Sequence, residues 1–113
     1  MYKYTIHVPL WYASDDGIPM YPIPEVLGLT MSYIADAVGG VTCENHGSAY
    51  GYWIKDEGTE EELRIKDEQA IVSVVCSSEV WNSKVMPTMC WLKKYSNQQS
   101  LFITAHMVEI VHV

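Results

Sequence analysis

The sequence predicts an α+β domain, a ferredoxin-like β-α-β-β-α-β sandwich in which a four-stranded antiparallel sheet carries two helices on one face. Three observations predict this fold. Apolar residues alternate with polar ones over residues 2–10, as in a strand with one buried face. An amphipathic helical stripe ends at Gly39-Gly40. Residues 70–76 are rich in β-branched side chains and apolar on both faces, which is typical of a central strand.

The first half of the chain contains one strand, an arm and one helix. The first strand ends near Pro9, and three prolines spaced over residues 19–24 predict an irregular, extended arm because proline fixes φ and lacks an N–H. We expect the helix to begin near Pro24. Its apolar stripe consists of Leu27, Met31, Ile34, Ala35 and Val38.

The second half supplies three strands and one helix. A strand over residues 41–54 is interrupted at Gly47, where we expect a bulge or bend. The third strand covers residues 63–76 and continues past a polar stretch at 67–69. Ser77-Ser78 caps the second helix, and Pro87 either kinks that helix or splits it in two. The last strand runs over residues 100–113.

Length and composition indicate a single soluble domain over residues 1–113. The chain is 49% hydrophobic and 19% charged, with a net charge of −7, so a basic surface for direct binding of nucleic acid is not expected. Three cysteines without a CxxC motif argue for a reducing compartment. Without a signal peptide or a bilayer-length apolar run, we expect a cytoplasmic protein that does not enter a membrane.

Both faces of the predicted last strand are apolar, which bears on assembly. Phe102, Val108 and Ile110 lie on one parity, and Ile103 and Val111 lie on the other. A sheet with two apolar faces needs a cover on each of them, and a second copy of the chain is a common cover. The sequence therefore predicts a homodimer.

Three short motifs resemble a known group of proteins. They are Gly40-Val41-Thr42, Gly51-Tyr52-Trp53 and Gln99-Ser100-Leu101. The pattern is similar to that of small uncharacterised ferredoxin-like bacterial and phage proteins, in which a GxT strand start precedes a GxW strand end and QxS opens the last strand. The resemblance implies the fold, with no activity and no catalytic residues.

An aromatic set and an acidic hairpin are the candidates for binding a ligand or a partner. The chain holds eight Tyr and four Trp against one Phe, a bias typical of surfaces that bind something, although some of these rings also suit a sheet core. The acidic hairpin tip either remains solvated or meets a basic protein. The candidate residues are Trp11, Tyr12, His46, Tyr50, Tyr52, Trp53, Glu60, Glu61 and Glu62.

Two histidines on neighbouring predicted strands, His7 and His106, are the weak candidates for catalysis. An imidazole pair on the open face of the sheet would supply a general base near neutral pH, whereas solvated or interface histidines are the alternative. Cys43 and His46 have the right chemistry for metal ligands but point to opposite faces of a strand. We therefore expect neither a metal nor a cofactor.

These observations favour a small acidic non-enzymatic binding protein, an accessory or inhibitor protein of phage or mobile-element type. It would bind a protein partner or sequester a small ligand. The alternative is a small dimeric ferredoxin-like enzyme, an isomerase, lyase or cofactor-free oxygenase, with a pocket of His, Tyr and Trp side chains. A structural subunit of a larger assembly is a third hypothesis. Fold alone does not choose among them.

Overall fold

The computed structural model describes residues 1–45 and 49–113, and it is a mixed α+β structure. In chain order its elements are β1 (Tyr2–Pro9), β2 (Trp11–Ala13), β3 (Pro19–Pro22), α1 (Val26–Val38), β4 (Thr42–Cys43), β5 (Ala49–Lys55), β6 (Leu63–Cys76), α2 (Ser78–Val80), a π-helical turn (Trp81–Val85), α3 (Met86–Tyr95) and β7 (Ile103–Met107).

The main sheet is antiparallel and is organised around β6. Its order is β4, β6, β1 and β7, and β5 pairs with the part of β6 that extends beyond β1. Five described strands therefore form the sheet, and the predicted four-stranded sheet is wrong in this respect. The predicted second strand is two separate segments, β4 and β5, which pair with different stretches of β6. Gly47, the predicted interruption, lies outside the described residues.

The hydrophobic core lies on one face of the sheet, between the strands and the helices. On β1 Tyr4, Ile6 and Val8 are buried, as is the final residue Pro9, and the residues between Tyr4, Ile6 and Val8 are only partly buried. In the last part of β6 buried residues recur in the same way, and they pair with the buried residues Tyr4, Ile6 and Val8 of β1. The helices complete this core with Val26, Ile34, Trp81, Val85, Met89 and Leu92.

Helix α1 confirms the predicted apolar stripe and helix stop. Ile34 is fully buried, and Leu27, Met31 and Val38 pack against the core. Gly39 has a φ of 88° and donates its N–H to the carbonyl of Ala35 at 2.7 Å, which ends the helix in the left-handed conformation that glycine adopts at little cost.

The second helical region is divided just before Pro87, close to the position where the sequence predicts a kink or a split. A π-helical turn precedes it, in which the N–H of Met86 bonds to the carbonyl of Trp81, five residues earlier. The wider turn places Pro87 in the first turn of α3, where a missing N–H breaks no helical hydrogen bond.

Within the described residues, no helix is both long and apolar enough to cross a membrane.

The proline-rich arm contains a small sheet of its own, which the sequence does not predict. β2 pairs with β3 in antiparallel fashion, and Tyr12 stacks on Tyr21 with ring centroids 4.9 Å apart. Pro19 and Pro22 occupy the ends of β3, positions of a two-stranded sheet that tolerate the loss of an N–H. A propensity argument that treats prolines as strand breakers misses this pairing.

The last strand is shorter than predicted, since β7 ends at Met107. Met107 pairs with Tyr2, the first residue of β1, and the N–H of Val108 donates one more hydrogen bond to the carbonyl of Met1. The apolar residues Met107, Val111 and Val113 are exposed. They lie where the sequence predicts a homodimer contact, and the homodimer stays a prediction.

Candidate functional site

Two adjoining cavities lie where the arm, β6 and the segment before β7 meet. Their volumes are about 290 and about 270 Å³, and both are lined by Asp67, Gln98 and Ser100. We call them together the cleft. Small-molecule sites usually have volumes of ~300–1,000 Å³, so the combined cleft is large enough for a compact ligand.

The arm is held over the cleft by hydrogen bonds to the segment that follows α3. The amide of Asn97 donates to the carbonyl of Ala13 at 2.8 Å, and the N–H of Ala13 donates to the carbonyl of Ser96 at 3.0 Å. The amide of Gln99 donates to the carbonyl of Asp15 at 3.1 Å. These contacts join residues more than eighty positions apart, which is why no local sequence pattern reveals them.

Two indoles form the apolar part of the cleft. Trp11 reaches it from β2 and Trp53 from β5. The turn at the tip of the arm brings Gly17 against Trp53, at a distance where an added Cβ would lie 3.5 Å from the ring. Gly17 has a φ of 83°, a conformation that residues with side chains rarely adopt. The tight turn therefore needs glycine, and it fixes the arm relative to the indole.

Asp67 is the carboxylate in the floor of the cleft. Across the β5–β6 pair its partner is Gly51, so no side chain from that position covers it. Burial raises the pKa of the Asp67 carboxyl, and the hydrogen bond from Gln69 opposes that shift only in part. A desolvated carboxylate with a raised pKa, located in a cleft, is a common property of functional sites.

A chain of hydrogen bonds links Asp67 to His7. Nε2 of Gln69 donates to Oδ2 of Asp67 at 3.0 Å, and Oε1 of Gln69 lies 2.8 Å from Nδ1 of His7. Phe102 packs edge-on against the imidazole, with ring centroids 4.8 Å apart. A hydrogen bond to Gln69 and an edge-on contact with Phe102 thus restrain the imidazole of His7, which lines the second cavity.

The structure separates the two predicted catalytic histidines. Lys3 pairs with His106, and the N–H of His7 bonds to the carbonyl of Phe102, so the histidines lie four residues apart along β1 and β7. At about 3.3 Å per residue this is roughly 13 Å, too far for a shared proton. His106 is exposed and lies outside the cleft, so the prediction of a His7 and His106 pair is wrong, although His7 lines the cleft.

The aromatic candidates fall into two groups. Trp11 and Trp53 meet in the cleft, whereas Tyr12 stacks on Tyr21 and takes no part in lining it. Tyr50 and Tyr52 are exposed on the other parity of β5, and the ammonium of Lys66 lies over the Tyr50 ring. His46 lies outside the described residues. Glu60, Glu61 and Glu62 are exposed in the hairpin turn after β5.

Asp67, Gln69 and Asp16 are the chemically most distinctive of the cleft residues that the sequence reasoning missed. The signal for two of them is present in the sequence, since a polar stretch interrupts a strand that is otherwise rich in apolar residues. A polar interruption of a central strand deserves to be treated as a candidate site rather than as a solvated end. Asp16 has no comparable signal, because only the fold of the arm brings it to the cleft.

The described part of the chain holds no group of three His, Cys, Asp or Glu side chains with the geometry of a metal site. Cys43, one of the two residues considered as metal ligands, has its thiol 3.1 Å from the carbonyl of Asn45. The other residue, His46, is not among the described residues.

Comparison with known proteins identifies a structural neighbour but no family. No protein-family model matches the chain, and no curated protein sequence matches it. A solved structure of a phage SAM lyase in complex with S-methyl-5'-thioadenosine matches with a TM-score of 0.55 and 19% sequence identity, covering 93% of this chain and 79% of that one. At this identity the likeness extends to the fold.

This neighbour corrects the functional expectation. The sequence favours a non-enzymatic binding or inhibitor protein, yet the matching structure with this architecture is an enzyme. The missing catalytic motifs led to the wrong preference, because a site assembled from distant segments leaves no motif in the sequence. The alternative, a small dimeric ferredoxin-like isomerase, lyase or cofactor-free oxygenase with a pocket of His, Tyr and Trp side chains, agrees better with this neighbour.

Proposed function

We propose that this protein is an enzyme that cleaves a sulfonium nucleoside of the S-adenosylmethionine type, and that the cleft is its active site. The observation that carries the proposal is the combination of two indoles, Trp11 and Trp53, with the desolvated carboxylate of Asp67 in one cavity. The structural likeness to a phage SAM lyase supports this choice of reaction class. We further propose that the fold is ferredoxin-like, with β4 and β5 together taking the place of one strand.

The chemistry of the cleft suits the two ends of such a substrate. Indoles stack on a purine base and attract cations through their ring faces. Asp16 and Asp67 line the same cavity, and both offer negative charge to a sulfonium or ammonium group. The substrate carries a net positive charge, and the net charge of −7 on this protein favours its approach.

The reaction breaks the bond between sulfur and the first carbon of the aminobutyryl chain. The bonding electron pair goes to sulfur, which becomes the neutral thioether of S-methyl-5'-thioadenosine. The substrate's own carboxylate attacks the carbon and closes a lactone, so that one positive and one negative charge disappear together. A cleft that excludes water favours this step, because charges that are being neutralised are weakly stabilised there.

The chain's own residues then have three tasks: to hold the base, to orient the aminobutyryl chain for ring closure and to keep water out. Elimination of a proton next to the reacting carbon is the competing route, and it would require a base such as His7. The two routes give different four-carbon products, a lactone or an unsaturated amino acid. Mass spectrometry of the products therefore identifies the route.

The test is release of S-methyl-5'-thioadenosine from S-adenosylmethionine, followed by liquid chromatography and mass spectrometry. Trp53→Ala should lower kcat/KM by about ten- to hundredfold, since stacking on an aromatic side chain contributes ~1–3 kcal/mol. The matched control is Tyr52→Ala, which removes the neighbouring exposed ring on the other parity of β5. The proposal fails if the wild-type protein neither releases nor binds S-methyl-5'-thioadenosine, or if both variants lose activity equally.

A further inference from the structure

The hydrogen-bond chain from Asp67 to His7 defines which nitrogen of the imidazole carries the proton. An ionised carboxylate only accepts hydrogen bonds, so Gln69 must direct its NH₂ group toward Asp67. The 3.0 Å distance from Nε2 of Gln69 to Oδ2 of Asp67 agrees with this orientation. The other end of the same amide, Oε1, then faces His7 at 2.8 Å. A carbonyl oxygen also only accepts, and Nδ1 of His7 must therefore be the protonated nitrogen.

The remaining ring nitrogen, Nε2, is left as an acceptor in the neutral imidazole. His7 is half-buried and lines the cavity that adjoins the two indoles. The edge-on contact with Phe102 limits rotation of the ring about its side-chain bonds. Orientation and tautomer are thus both fixed before any ligand arrives, which lowers the entropic cost of making a hydrogen bond to it.

We propose that Gln69 is a positioning residue that presents Nε2 of His7 as a hydrogen-bond acceptor for a sugar hydroxyl of the bound nucleoside. The assignment rests on the proposed function for the identity of the ligand, whereas the tautomer of His7 does not depend on it. Within the cleft a ribose hydroxyl is the donor of the right class, since the base stacks on indole and the cationic groups meet carboxylates.

The tautomer is tested by nitrogen-15 NMR of the imidazoles in the full chain without ligand, at an alkaline pH. In the wild-type protein Nδ1 of His7 should be protonated. Gln69→Met, which removes both hydrogen bonds at similar volume, should shift the proton toward Nε2. Gln99→Met is the matched control, because Gln99 bonds to Asp15 and not to His7. The exposed imidazole of His106 serves as an internal reference in every spectrum.

The hydroxyl is tested by binding S-methyl-5'-thioadenosine and its 2'-deoxy and 3'-deoxy analogues to the wild-type protein and to His7→Phe. One of the two analogues should bind the wild-type protein about tenfold more weakly, because the Nε2 acceptor of the half-buried His7 loses its partner. His7→Phe should bind that analogue and the parent compound equally. Gln69→Met should show reduced discrimination, which a purely structural role for Gln69 would not produce.

The outcomes separate this inference from the proposed function. A His7 that is protonated on Nε2 in the wild-type protein, or that keeps its tautomer in Gln69→Met, overturns the role of Gln69 even if the enzyme cleaves S-adenosylmethionine. Equal binding of all three nucleosides by the wild-type protein overturns the hydroxyl contact. Failure of the proposed function appears differently, as an absence of both turnover and nucleoside binding with the His7 tautomer unchanged.

Discussion

The two faces of the sheet are built from the same strands but from different chemistry. On β1 the helix-covered face consists of Tyr4, Ile6 and Val8, all buried, while Thr5 and His7 on the open face are partly exposed. The covered face is held by apolar contacts with the helices. On the open face polar groups bond to one another, as His7 does with Gln69. We infer that the covered face provides stability and that the open face provides the site.

The same contrast continues along β6, where it separates two halves of one strand. The half that pairs with β1 is largely buried, and the half that pairs with β5 contains only exposed and partly buried residues. Asp67 and Gln69 lie where the two halves join. Asp67 lies there on the open face and lines the cleft beside the arm, so its carboxylate is partly desolvated without being enclosed.

The largest effect is expected from truncation on the covered face. Ile6→Ala removes a fully buried side chain from the centre of the core and should lower the free energy of unfolding by about 3 kcal/mol, measured by urea denaturation. Thr5→Ala, its neighbour on the open face, should cost less than about 1 kcal/mol. Similar losses in the two variants would mean that the open face contributes to stability as much as the covered one.

The covered face and the open face also differ in how far the sequence predicts them. The alternation on β1, the extent of β6 and the helix stop at Gly39 are local patterns, so the sequence predicts all three. The pairing of β2 with β3 and the bonds from Asn97 to the arm depend on contacts between distant residues, and no periodicity reports them.

Parity alone also has a limit for predicting a site. It correctly places His7 and His106 on one face, but the register between β1 and β7 decides their separation, and only the structure gives that register. Trp11 and Trp53 are the opposite case. Nothing in the sequence connects them, yet the arm brings both to one cavity.

A smaller effect, of opposite sign, is expected at Thr30 on α1. This residue is fully buried, and its Oγ1 is the one buried side-chain hydroxyl of the described residues without a hydrogen-bond partner. Thr30→Val keeps the shape of the side chain and removes the unpaired group, so thermal and urea unfolding should show a gain of about 1 kcal/mol. Thr30→Ser keeps the hydroxyl and loses a methyl group, and it should be destabilising. A Val variant no more stable than the wild type would show that the hydroxyl is satisfied in solution.

The smallest effect is expected on the open face, at Asp67, and it appears as a dependence on pH. Burial raises the pKa of this carboxyl in the folded state above its ordinary value of 3.8. Below the ordinary value Asp67 is neutral in both folded and unfolded chains, and its contribution to stability is fully present. As the pH rises through the higher folded pKa, that contribution is lost, because the unfolded chain ionises more readily.

Asp67→Asn should therefore be more stable than the wild type at neutral pH, and the difference should vanish in acid below the ordinary carboxyl pKa. Asp36→Asn, the same change at an exposed aspartate of α1, is the matched control for the substitution itself. If Asp67→Asn also loses nucleoside binding, the carboxylate is kept for the site at the expense of stability. A variant that is stabilised equally at all pH values would instead mean that Asp67 is solvated and that the open face holds no desolvated charge.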